Sequence, residues 1–169
     1  MVNPLEAKPK VDHDSKRIVC FNETRDCFFT CNNASVIIAL EPICYSLQKS
    51  ANINPVSHCD YIIAFVNDAT YETTVFLVEI DPLLRHRNPK DLQDKLDHCE
   101  ELLNAFMRTL THIAISSKIP RSLYKVKRVL LVSYEVLKSK ELRELMKQKI
   151  IDLVEVCGSS IRGWMERHQ

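Results

Sequence analysis

Glycine is almost missing from this chain: its 169 residues hold two. Loops that wrap a phosphate in backbone amides rely on several closely spaced glycines, so a P-loop or a dinucleotide-binding turn is excluded. No apolar run approaches the ~18 residues of a membrane span, and no signal-peptide pattern opens the sequence. The expectation is an intracellular (cytoplasmic) protein with no membrane partner. Neither sign of charge is in excess. Lys and Arg number 23 against 22 Asp and Glu, for a net charge of +1. No global basic field therefore announces nucleic acid, and any such contact has to come from a local patch. Zinc-motif spacing is also absent: the seven cysteines include no CxxC pair, and no HxxxH occurs. An odd cysteine count inside apolar patterns reads as buried free thiols in a reducing compartment.

What is present is an ordinary globular composition, 46% hydrophobic and 27% charged. This length suits one domain with a substantial core. Residues 1–15 read as a poorly ordered arm, 16–158 as one α/β domain and 159–169 as an exposed or helical tail. Short strands are expected at Lys16–Phe21, Asp26–Cys31 and Ser35–Leu40, followed by a short helix after Pro42. Asn88-Pro89 opens a long helix, with Leu92, Leu96, Cys99, Leu103, Phe106, Leu110 and Ile113 spaced alternately by four and three. That stripe packs on a sheet or serves as a homodimer seam across residues 89–115. Tyr124–Ser133 has a fully apolar centre and reads as an interior strand. A short helix at Ser139–Gln148, with Leu142, Leu145 and Met146 on one side, and a last strand at Asp152–Val156 complete a mixed α/β sheet flanked by helices.

The centre of the sequence is His58–Asp81, HCDYIIAFVNDATYETTVFLVEID. It reads as a hairpin of strands Cys59–Val66 and Thr73–Ile80. Asp60 starts the first strand, and Glu79 and Asp81 end the second, so an antiparallel pairing brings the three acids to one end of the sheet. Glu79 and Asp81, two apart, share a face. Carboxylates gathered this way repel unless a cation, a proton or a basic side chain neutralises them, and oxygen donors of this kind suit Mg2+ or Mn2+. Solvated strand ends are the ordinary alternative.

Cys59-Asp60 before an apolar strand, then a turn, VFLVEI, a long helix and RVLLVS resembles the PD-(D/E)XK nuclease superfamily over roughly Val56 to Ser133. The resemblance implies a restriction-endonuclease-like fold in which Asp60 and Glu79 hold a divalent metal, with Glu41 on an earlier helix as a further ligand. It implies hydrolysis of nucleic acid. The superfamily's lysine, two residues after the Glu, is here Asp81, which cannot stabilise negative charge developing on a phosphate. Some members carry the basic group on the following helix; Lys95 occupies that place here, with Arg85 or Arg87 as weaker substitutes. Three classes follow: an active nuclease using Asp60, Glu79, Asp81 and Lys95; a nuclease fold that binds nucleic acid without cutting it; and a protein-interaction module. The sequence favours nuclease ancestry with weak metal binding and little cleavage.

Overall fold

The structure is a computed structural model, and it describes residues 10–12, 17–22, 27–31, 36–40, 43, 44, 46, 57–66, 72–84, 88–117 and 124–160. A mixed five-stranded sheet forms its centre, in the order β4-β5-β6-β7-β8. Its strands are β4 (Val36–Ala39), β5 (Tyr61–Val66), β6 (Thr73–Ile80), β7 (Tyr124–Val132) and β8 (Leu153–Val156). The first three pair antiparallel, whereas β6, β7 and β8 run parallel. A separate three-stranded antiparallel sheet holds β1 (Lys10–Asp12), β2 (Arg17–Asn22) and β3 (Cys27–Cys31). The β6-to-β7 crossover carries the long helix α1 (Pro89–Ser117), and the β7-to-β8 crossover carries a 3-10 turn (Tyr134–Lys138) and α2 (Lys140–Lys147).

Local chemistry sets these limits. Asn88 caps α1, its side-chain oxygen accepting from Lys90 N at 3.0 Å, and Pro89 takes the first helical position, where a missing N–H costs nothing. Ser139 caps α2 by accepting from Leu142 N at 3.1 Å. In β7 the run Val129–Val132 is completely buried, as a strand covered on both faces requires.

Two apolar layers sandwich the central sheet. On one side Ile62, Val75, Leu77, Leu130 and Val132 meet Leu92, Leu96, Cys99 and Leu103 of α1. On the other, Tyr61, Ile63, Phe76, Val78, Ile80 and Leu131 meet Cys27, Phe29 and Cys31 of β3. Side chains along β6 thus alternate between helix and small sheet.

Several expectations change. Lys10–Asp12 falls in the arm yet pairs with β2, and Ser160, expected in the tail, bridges Thr30. The first three strands do not all join the central sheet, because β1–β3 form a layer over its second face while β4 pairs with β5. Cys27 and Cys157 are not thiols but a disulfide, whereas Cys31, Cys44, Cys59 and Cys99 are buried thiols outside any disulfide, as expected. The first half of the α1 stripe is consumed by the sheet, which leaves Leu92 to Leu103 unavailable as a dimer seam. Met146 is exposed, since Leu142 and Leu145 alone meet the core. Among the described residues no helix is long and apolar enough to cross a membrane.

Candidate functional site

The carboxylates assemble through strand register. Tyr61 pairs with Val78, so one step further places Asp60 opposite Glu79. Asp60 lies at a bend where its N–H still donates to Val78 O at 3.0 Å, and its own carbonyl accepts from Leu40 N at 3.0 Å. Its side chain closes the ladder: Oδ2 accepts from Ile80 N at 2.7 Å. A charged acceptor on a backbone donor is among the stronger hydrogen bonds available, and it fixes the carboxylate next to the peptide that follows Glu79.

Glu79 lies one alternation beyond Leu77, on the helix side, and its side chain is fully buried. Lys95 reaches it from the second turn of α1, with Nζ 2.7 Å from Oε1. Lys95 follows Leu92 by three positions, which sets it at the edge of the apolar stripe, where a four-carbon stem can run along the sheet and deliver its ammonium to a buried acid. Asp81 is also buried, and its N–H donates to Leu131 O at 2.9 Å, extending the parallel pairing beyond β6. Ser133 follows β7 alongside, donating its N–H to Pro82 O at 2.9 Å. Glu41 and Arg85–Arg87 lie outside the described residues.

Thiols form the floor of this end of the sheet. Cys59 N donates to Cys99 Sγ at 2.8 Å, which joins the start of β5 to α1 one turn beyond Lys95. Burial pushes the Cys59 thiol well above its ordinary value, and the hydrogen bond with Cys99, the Cys99 sulfur and the Glu79 and Asp60 carboxylates add to the shift. Both acids therefore act on one thiol. Cys44 is raised by burial and by Cys99. Such thiols are inert packing groups rather than nucleophiles.

A second ionic cluster joins β7 to α1. Arg128 Nη2 lies 2.6 Å from Asp97 Oδ1 and 2.6 Å from Glu100 Oε2, with Nε 3.2 Å from the latter. Burial works against the guanidinium charge, but the bonds to Glu100 and Asp97 outweigh it and raise the Arg128 pKa. Sequence reading missed this clamp. The signal was Arg128 itself, a cation in the same alternation phase as Leu130 and Val132, which calls for acids on the facing helix.

Among the described residues no group of three or more His, Cys, Asp or Glu side chains is gathered to hold a metal ion. The donor chemistry of Asp60 and Glu79 nevertheless fits Mg2+ or Mn2+. Mg2+ commonly takes one or two carboxylates from a protein and completes its shell with water and substrate phosphate oxygens. No family model, no curated protein and no solved structure matches this chain.

Proposed function

We propose that this chain is a PD-(D/E)XK-like, divalent-metal-dependent phosphodiesterase acting on nucleic acid from an intracellular location, with the motif lysine moved from the strand to the helix. The observation that carries this reading is the 2.7 Å contact between Lys95 Nζ and Glu79 Oε1, beside an Asp60 fixed on Ile80 N. Where a strand lysine would stand, Asp81 supplies no positive charge; Lys95 brings that charge to the same strand end from the facing element. This contact moves the balance set by the sequence from a degenerate site towards an active one.

Asp60 and Glu79 would hold the cation, which supplies positive charge against the negative charge that develops on a phosphate under attack. The protein's own contribution is positional. The Asp60 bond to Ile80 N keeps its carboxylate from turning away. Lys95 holds Glu79 in one rotamer and presents N–H donors towards an incoming phosphate. The chain neighbours of Asp60 and Lys95, Cys59 and Leu96, are buried in the helix-side core, a low-dielectric setting that strengthens each of these interactions.

One observation favours a second reading, a binding module on the same fold without hydrolysis. Asp60 already uses Oδ2 on Ile80 N, and Glu79 uses Oε1 on Lys95, as in a purely structural cluster. The two readings separate in a cleavage assay on single- and double-stranded DNA and RNA with Mg2+ or Mn2+. The expected result is metal-dependent cleavage that falls by about 100-fold or more in Lys95→Ala, the cost of one electrostatic group at a reacting centre. Binding without cleavage in the native chain selects the module instead.

A further inference from the structure

We infer that the Cys27–Cys157 disulfide is a redox-cleavable clasp that controls how the three-stranded sheet is seated on the central sheet. The bond joins the first residue of β3 to the residue after β8, across 130 positions of sequence. Around it, Gly158 N donates to Phe28 O at 2.6 Å, Thr30 N donates to Ser159 O at 3.0 Å, and Thr30 bridges Ser160. Cys157 itself is anchored to the central sheet through its N–H on Val132 O at 2.9 Å. Gly158 makes this approach feasible: its φ of +85° turns the chain back towards β3, a conformation that side chains disfavour.

The clasp closes one end of a strand whose inward residues, Cys27, Phe29 and Cys31, pack on the second face of the central sheet. Exposure also distinguishes it. Cys157 is partly exposed and Gly158 is open to solvent, while Cys31, Cys44, Cys59 and Cys99 are buried. A reductant in solution therefore approaches the bond from the Cys157 side, since Cys27 is buried. A small dithiol opens the bond in two steps. One thiolate of the dithiol attacks Cys157 Sγ, the S–S bond breaks, and Cys27 leaves as a thiolate that takes up a proton. The second thiol then closes on the mixed disulfide, releasing Cys157 as a thiol and the reductant as a cyclic disulfide. Two electrons pass to the protein, and the covalent link between β3 and the end of β8 is lost.

A structural route leads from the clasp to the end of β5. Phe29 of β3 meets Tyr61 edge to face, with centroids 5.6 Å apart, and Tyr61 follows Asp60 directly. The inference itself rests on the layer contact and not on the catalytic reading.

Hydrogen exchange on the full chain, before and after reduction with dithiothreitol, tests the clasp, with alkylation and mass measurement to show which cysteines opened. The expected result is exchange at Cys27–Cys31 faster by roughly ten-fold or more, with Thr73–Ile80 unchanged and the effect reversed on reoxidation. Cys27→Ser with Cys157→Ser should match the reduced protein and ignore dithiothreitol. If that variant does not fold, reversal in the native chain decides. Three results overturn the inference: a bond that resists the dithiol, reduction without faster exchange at Cys27–Cys31, or simultaneous opening of Thr73–Ile80.

Discussion

Two ionic clusters fasten α1 to the central sheet, and their polarity is opposite. At one, the sheet supplies the acid, Glu79, and the helix supplies the base, Lys95. At the other, the sheet supplies the base, Arg128, and the helix supplies the acids, Asp97 and Glu100. The settings differ as much as the signs. The Glu79 side chain is 0% exposed, whereas Asp97 and Glu100 remain 42% and 35% exposed. Arg128 is satisfied by two carboxylates that water can also solvate, so its cluster is a clamp complete in itself. Glu79 lies in a dry setting beside Asp60, where an opposite charge is worth far more than at a surface. The first cluster holds its acid in the core and its base at the edge; the second holds both of its acids at the surface.

The largest effect expected from this contrast is on stability. Lys95→Ala removes the cation bonded to the buried Glu79 carboxylate and should cost about 3 kcal/mol in denaturant unfolding with chelator present. Glu79→Leu combined with Lys95→Met should recover most of that loss, because removing both partners leaves no buried charge. A small Lys95→Ala effect would place Glu79 in a wetter setting than its burial describes. Arg128→Ala comes next, at about 1–2 kcal/mol, since Asp97 and Glu100 simply rehydrate. Losses of equal size for the two substitutions would erase the distinction between the clusters.

A smaller effect concerns Cys59 and appears only in alkali. Burial raises its folded pKa well above the ordinary 9.0, so well below pH 9 the thiol is neutral in both folded and unfolded chains and contributes nothing pH-dependent. Above that value the unfolded chain loses the proton while the folded chain keeps it, and stability falls as pH rises. Native protein should therefore lose about 1 kcal/mol more than Cys59→Ala between pH 9 and pH 10, read from paired urea melts. Parallel pH curves would mean that Cys59 is not sealed beneath the acids.

Much of this end of the molecule was legible in the sequence because alternation and capping are local. The two strands of the hairpin, their antiparallel pairing and the Asn88-Pro89 start all follow from spacing. Lys95 could be named as a basic group but not placed, because a residue at the edge of an apolar stripe turns inward or outward according to what the sheet offers. Glu79 decided it. The Cys27–Cys157 bond was not legible at all: a pairing across 130 residues depends on how two sheets stack, and cysteine counting carries no such information. For the same reason β2 and β3 could not be assigned to a layer apart from β4. Strand patterns reveal which residues face inward but not which sheet they join.

The most direct measurement of the central claim is thermal unfolding with and without Mn2+, on the native chain and on Asp60→Asn with Glu79→Gln. An ion held by these two carboxylates in the folded state alone should stabilise the native chain by about 2.7 kcal/mol at a hundredfold excess over its Kd, and should leave the double variant unmoved. Equal Mn2+ shifts in the two proteins, or none in either, would contradict the assignment of Asp60 and Glu79 as a metal site.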